Sequence, residues 1–86
     1  MKPPAYRIIV SGERNDRMTL LGGIIVSAID KTNLVENGSA QAAVCFHYRG
    51  NARIVLRKVF AAISGCKKDG IDALHFGSAV AKIVKV

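Results

Sequence analysis

Short apolar runs alternate with polar segments along the chain, and four of these runs are predicted to be strands. The first is rich in β-branched residues and ends at Ser11-Gly12, and the second is nearly continuous in apolar character, as in a central strand. The last two runs flank Gly77-Ser78, a two-residue connection typical of a type II′ hairpin. The predicted strands are Tyr6–Val10, Gln41–Tyr48, Ile71–Phe76 and Ala79–Val86.

Two segments between these runs have helical periodicity. Met18, Leu21, Ile25 and Ile29 recur at helical spacing after Asn15-Asp16, either of which can cap a helix. The glycine pair at 22–23 and the β-branched residues that follow it leave a strand over 23–30 as the alternative. The longer periodicity favours the helix, and the paired glycines would let it lie close to a sheet.

The second helix is predicted over residues 52–64. Its apolar stripe follows Asn51, a good N-cap, and precedes Gly65, which can adopt the left-handed conformation at the C-terminus. Residues 31–39 are interpreted as a connection, and 66–70 as a basic loop. The order β-α-β-α-β-β predicts a single α/β domain over residues 1–86, a two-layer sandwich with parallel strand pairing and both helices on one face.

Charge is concentrated in the second half of the chain. The protein has 86 residues and a formal charge of +7. Residues 39–86 carry eight Lys and Arg against two Asp, which gives +6, and residues 37–68 contain no acid. Such asymmetry is typical of a surface that binds a polyanion, although a solvated basic surface would have the same composition.

The junction Arg49-Gly50-Asn51 is the strongest candidate site in the sequence. A strand ends there on a basic residue and a helix begins, so unpaired N–H groups and the helix dipole could attract a phosphate, with Gly50 allowing close approach. Arg53 and Arg57 lie one turn apart on that helix. The alternative is an ordinary capped helix with a solvated polar face. Neither GxGxxG nor GxxxxGK is present, so no nucleotide cofactor is expected.

The cysteines and histidines do not form a recognisable metal or catalytic motif. Cys45, His47, Cys66 and His75 lack CxxC or HxxxH spacing, so no zinc site is expected. Cys45 and His47 would share one face of a strand, but no acid lies near them in sequence to orient a dyad, and no enzyme is predicted. A disulfide between the cysteines stays open. Without an apolar leader, a reducing cytoplasm is the expected location.

Three segments of the chain resemble the Alba superfamily of small nucleic-acid-binding proteins, and within it the stage V sporulation protein S-like proteins. They are Ile9–Gly12 followed by a small-residue helix, Tyr48–Ala52 before the second helix, and His75–Ser78. The resemblance implies a mixed four-stranded sheet, a homodimer, and basic residues both in the loop after the first strand and at the Arg-Gly turn.

The charge and the resemblance together predict a non-enzymatic protein that contacts DNA or RNA phosphates with little sequence specificity. The alternative is a regulatory or assembly protein of the sporulation type whose basic face binds an acidic protein. No cofactor or membrane contact is expected. The candidate nucleic-acid-binding residues are Arg14, Arg17, Arg49, Gly50, Asn51, Arg53, Arg57, Lys67 and Lys68.

Overall fold

Two helices and six strands make up the structure, a computed structural model that describes residues 5–40 and 43–85. The strands are β1 (Tyr6–Ser11), β2 (Leu34–Ala40), β3 (Ala43–Tyr48), β4 (Lys67–Lys68), β5 (Ala73–Phe76) and β6 (Ala79–Lys85). The helices are α1 (Asp16–Ala28) and α2 (Ala52–Ala62), and Lys31–Asn33 forms a 3₁₀ turn. Gln41, Ala42 and Val86, which were predicted to be strand residues, lie outside the described part of the chain.

The sheet differs from the predicted one in both strand number and direction. Its order is β2-β3-β1-β6-β5-β4, and every neighbouring pair is antiparallel. The α/β class and the two helices are confirmed. The mixed four-stranded sheet, the parallel pairing and the order β-α-β-α-β-β were wrong.

The two additional strands explain the error. β2 was interpreted as a connection because its Glu, Asn, Gly and Ser give no apolar pattern, yet its backbone pairs with β3 along an exposed edge. Since β2 and β3 form consecutive antiparallel strands, β3 returns beside β1 in the opposite direction to β1. β4 is a two-residue strand within the predicted basic loop and pairs with β5.

Both helices pack on one face of the sheet, as predicted. Ile8 and Val10 of β1, Phe46 of β3 and Leu74 of β5 are buried beneath them, while the alternating residues of the same strands point to the other face. Within the described residues no helix covers that other face, which we call the open face. The helices therefore determine which strand residues are core and which are surface.

The helix boundaries follow their caps. The side chain of Asn15 caps α1 by accepting from the N–H groups of Arg17 and Met18. Because α1 continues to Ala28, the alternative strand over 23–30 was wrong. A β-carbon at either paired glycine would meet nothing within 4 Å, so these glycines do not bring α1 close to the sheet. Gly65 is left-handed, with φ of 84°, two residues beyond the cap of α2. No helix in the described ranges is long and apolar enough to cross a membrane.

The predicted hairpin at Gly77-Ser78 is present. Phe76 pairs with Ala79 across the two-residue connection, and Gly77 has a φ of 62°, the positive value that the first position of such a turn requires.

Candidate nucleic-acid interface

The turn between β3 and α2 is held from below by the segment that follows α1. The N–H of Arg49 donates to the carbonyl of Asn33 at 2.8 Å. The hydroxyl of the buried Tyr48 accepts from the N–H of Asp30 at 3.2 Å. One hydrogen bond from the backbone of Arg49 and one to the side chain of Tyr48 therefore fix the start of this turn to the segment that follows α1.

Tyr48 also explains why position 50 is glycine. A β-carbon there would lie 2.5 Å from the phenol ring and hydroxyl of Tyr48, closer than real contacts allow. The sequence interpretation gave Gly50 the role of admitting a phosphate to the backbone. In the structure the absent side chain makes room for the tyrosine ring.

The first turn of α2 is capped by its own side chain. Asn51 Oδ1 accepts from the N–H groups of Arg53 at 3.1 Å and Ile54 at 3.3 Å. Two of the donors that the sequence offered to a phosphate are thus already occupied. An anion at this terminus would be held mainly by side chains.

Those side chains line a cleft of about 600 Å³ at the start of α2, which we call the basic cleft. Arg49, Arg53 and Lys85 contribute its cations, and Tyr6 and Asp72 its other titratable groups. Arg53 Nε lies 2.9 Å from Asp72 Oδ1, and this hydrogen bond and the charge of the carboxylate raise the pKa of the Arg53 guanidinium. Because the bond uses Nε, four N–H donors remain on the two terminal nitrogens.

Sequence reasoning missed Lys85 as a member of this site. Lys85 is at the last position of β6 and pairs with Tyr6, which in turn pairs with Tyr48 on the other side of β1. The register of three strands therefore brings a residue from the chain's end beside Arg49. In the sequence, only the alternation of successive β6 residues between the two sheet faces could have distinguished Lys85 from Lys82, which points to the open face.

A second, smaller cavity adjoins the basic cleft at Arg53. It has a volume of about 260 Å³ and lies between α2 and the loop after β4. Its floor is apolar, and three cations surround it, namely Arg53, Arg57 and Lys68. We call it the apolar slot. Lys68 is also 4.8 Å from the ring centroid of Phe60 on α2.

Three of the predicted site residues lie elsewhere. Arg14 and Arg17 follow Ser11, the end of the six-residue β1 opposite to Tyr6, and the Arg17 guanidinium packs 5.6 Å from the ring of Phe76. Lys67 pairs with His75, so it points to the open face. Arg14 and Arg17 therefore lie at the opposite end of the sheet from Arg49 and Lys85, although the sequence interpretation grouped Arg14 and Arg17 with Arg49 in one set of binding residues.

The cysteines are free, and Cys45 and His47 do share a strand face, the open one. The strand register places the acidic residue Glu36 directly opposite His47, although the two residues are distant in sequence. His47 Nε2 is buried without a hydrogen-bond partner in the described part of the protein.

Burial raises the pKa of the Cys66 thiol, which packs against the core. Among the described residues no group of His, Cys, Asp and Glu is arranged to hold a metal ion.

Comparison with protein-family profiles, curated proteins and solved structures finds no match for this chain.

Proposed function

We propose that this protein is a non-enzymatic nucleic-acid-binding protein that holds phosphates in the basic cleft and along the exposed side of α2. The observation that supports this most directly is the convergence of Arg49, Arg53 and Lys85 from a turn, a helix and a distant strand. Three cations in one concave site repel each other, and an anion between them relieves that repulsion. Asp72 neutralises part of this charge through Arg53.

The positive charge continues beyond the cleft. Arg57 follows Arg53 by one helical turn, about 6 Å along the helix axis. Lys68 lines the same apolar slot as Arg57. The spacing of Arg53 and Arg57 is comparable to that of successive phosphates in an extended strand. With three or four phosphate contacts per protomer, the log–log salt slope should be roughly −3.

The resemblance to the Alba superfamily agrees with this proposal at the Arg49-Gly50 turn. The second basic element that the resemblance implies, around Arg14 and Arg17, is too far from the cleft to share one phosphate with it. We also propose a homodimer, which would give twice the monomer mass by light scattering at micromolar concentration. Two copies would present two basic clefts to one polyanion and so raise its affinity.

Charge reversal at two lysines of the same strand tests the site. Lys85→Glu places an acid in the basic cleft, whereas Lys82→Glu makes the same change on the open face three residues away. Binding is measured by fluorescence anisotropy with labelled DNA and RNA oligonucleotides at ~50 mM salt, where phosphate affinity is high. We expect Lys85→Glu to weaken binding at least tenfold and Lys82→Glu less than threefold.

Equal losses for the two variants would show that net charge acts diffusely and that the cleft is not the site. If the parent protein binds neither DNA nor RNA at this salt concentration, the proposal fails. Binding of polyglutamate under the same conditions would then support the alternative, a regulatory protein with an acidic protein partner.

A further inference from the structure

We infer that the apolar slot receives a single unpaired base, so that the protein binds single-stranded nucleic acid in preference to a duplex. The inference rests on the proposed function and adds to it the form of nucleic acid that is recognised. It concerns the cavity that adjoins the basic cleft, which phosphate binding alone does not use.

The slot combines an apolar floor with a cationic rim. Leu56 and Leu74 form its buried floor, and Ala73 and Ile71 line it towards the solvent. Ile71 is 70 % exposed, the most exposed large hydrophobic residue described. Ile71 contributes little to the core, and a flat ring lying against it would remove its apolar side chain from water.

The size and position of the slot fit a base attached to a bound phosphate. Its volume of about 260 Å³ is below the roughly 300–1,000 Å³ of sites for larger ligands, and suits one ring system. Arg53 borders both the slot and the basic cleft. A nucleotide whose phosphate lies in the cleft can therefore place its base in the slot without spanning any intervening element.

Arg53 is held in a manner that suits stacking. The bond between its Nε and Asp72 restrains the planar guanidinium at the boundary of the two cavities. Guanidinium planes stack on unpaired bases, and they retain terminal N–H groups for phosphate. One side chain can thus contact a base with its face and a phosphate with its edge.

The alternation of charge along the surface favours a nucleic acid as occupant. Along α2 the basic cleft is followed by the apolar slot, and the rim of the slot itself carries Arg57 and Lys68. In a single strand each sugar between two phosphates carries one base that projects to the side, so a base can enter the slot while the neighbouring phosphates contact the cations around it. In a duplex the bases are paired and stacked, so they offer only their edges in the grooves and cannot enter the slot.

Three polyanions of equal length distinguish the contributions of phosphate, base and strand form. We would compare a 12-nucleotide single strand, an abasic oligomer of the same length, and the same sequence as a duplex, all by anisotropy at ~50 mM salt. An aliphatic surface holds a base more weakly than an aromatic ring does, so one base in the slot should add about a factor of ten to the affinity. We therefore expect the single strand to bind about tenfold more tightly than the abasic oligomer.

A substitution within the slot should remove this difference. Ile71→Ser removes apolar surface at an exposed position, so the fold is retained, and Val84→Ser makes a similar change at an exposed valine on the open face. We expect Ile71→Ser to reduce the tenfold preference to less than threefold while leaving affinity for the abasic oligomer unchanged. Val84→Ser should preserve the preference.

The possible outcomes separate the two proposals. If the single strand and the abasic oligomer bind equally, or if the duplex binds most tightly, the base-binding slot is overturned while phosphate binding stands. The same holds if Ile71→Ser leaves the preference unchanged. If none of the three polyanions binds, the proposed function itself fails.

Discussion

The phenol ring of Tyr48 occupies the space into which a side chain at position 50 would project. The ring is buried, and its hydroxyl accepts from the N–H of Asp30, so it cannot move aside without breaking that bond. The turn that carries Arg49 and leads into α2 is therefore built on one aromatic residue and one glycine.

Gly50→Ala should destabilise the protein by about 1–3 kcal/mol, because the new methyl group forces the ring or the turn to shift. The free energy of unfolding is measured by urea denaturation. Gly23→Ala is the control: its β-carbon would meet nothing within 4 Å in α1, so it should stabilise the protein by about 0.4–1 kcal/mol. If Gly50→Ala is neutral, the ring is not the reason for glycine there.

Asp72→Asn should strengthen binding of the abasic oligomer by about two- to fivefold, because it removes the carboxylate that opposes phosphate in the basic cleft. Asp69→Asn changes the net charge equally but acts at a carboxylate that contacts His75, 3.1 Å away. Its effect should be smaller. Both affinities are measured by anisotropy across a salt series. Equal gains for the two variants would contradict a local role of Asp72.

Asp30→Ala should lower the urea midpoint at pH 7, and this loss should shrink in acid. The hydroxyl and N–H of Thr32 donate to Asp30 at 2.8 and 3.0 Å and lower the pKa of its carboxyl. A carboxyl whose pKa is lower in the folded state contributes stability at neutral pH. That contribution is lost as the pH falls from the ordinary aspartate value of about 3.9 through the lowered one.

The measurement for Asp30 is the urea midpoint of parent and variant at pH 7 and at pH 2.5. Thr32→Val, which removes only the hydroxyl donor, should have a smaller effect with the same pH dependence. A loss at Asp30→Ala that is equally large at both pH values would mean that its hydrogen bonds act independently of its charge.

Local sequence signals identified those elements that depend on residues close together in the chain. Asn15 and Asn51 cap helices whose apolar stripes have the expected period, and Gly77 forms the hairpin turn. The edge strand β2 escaped detection because its pairing with β3 is made by backbone groups, which every residue carries, while residues 35–38 are exposed. That one missing strand reversed the direction of β3 relative to β1.

The sequence by itself determined the two helices, the basic second half of the chain and the Arg49-Gly50-Asn51 turn. Tertiary structure alone decided which cations lie together: strand register brought Lys85 to Arg49 and separated both from Arg17. It also paired Arg53 with Asp72 across 19 positions and placed Tyr48 under Gly50. The reason is physical, since charge and cap preferences act over a few neighbouring residues, whereas register depends on how all the strands share one core.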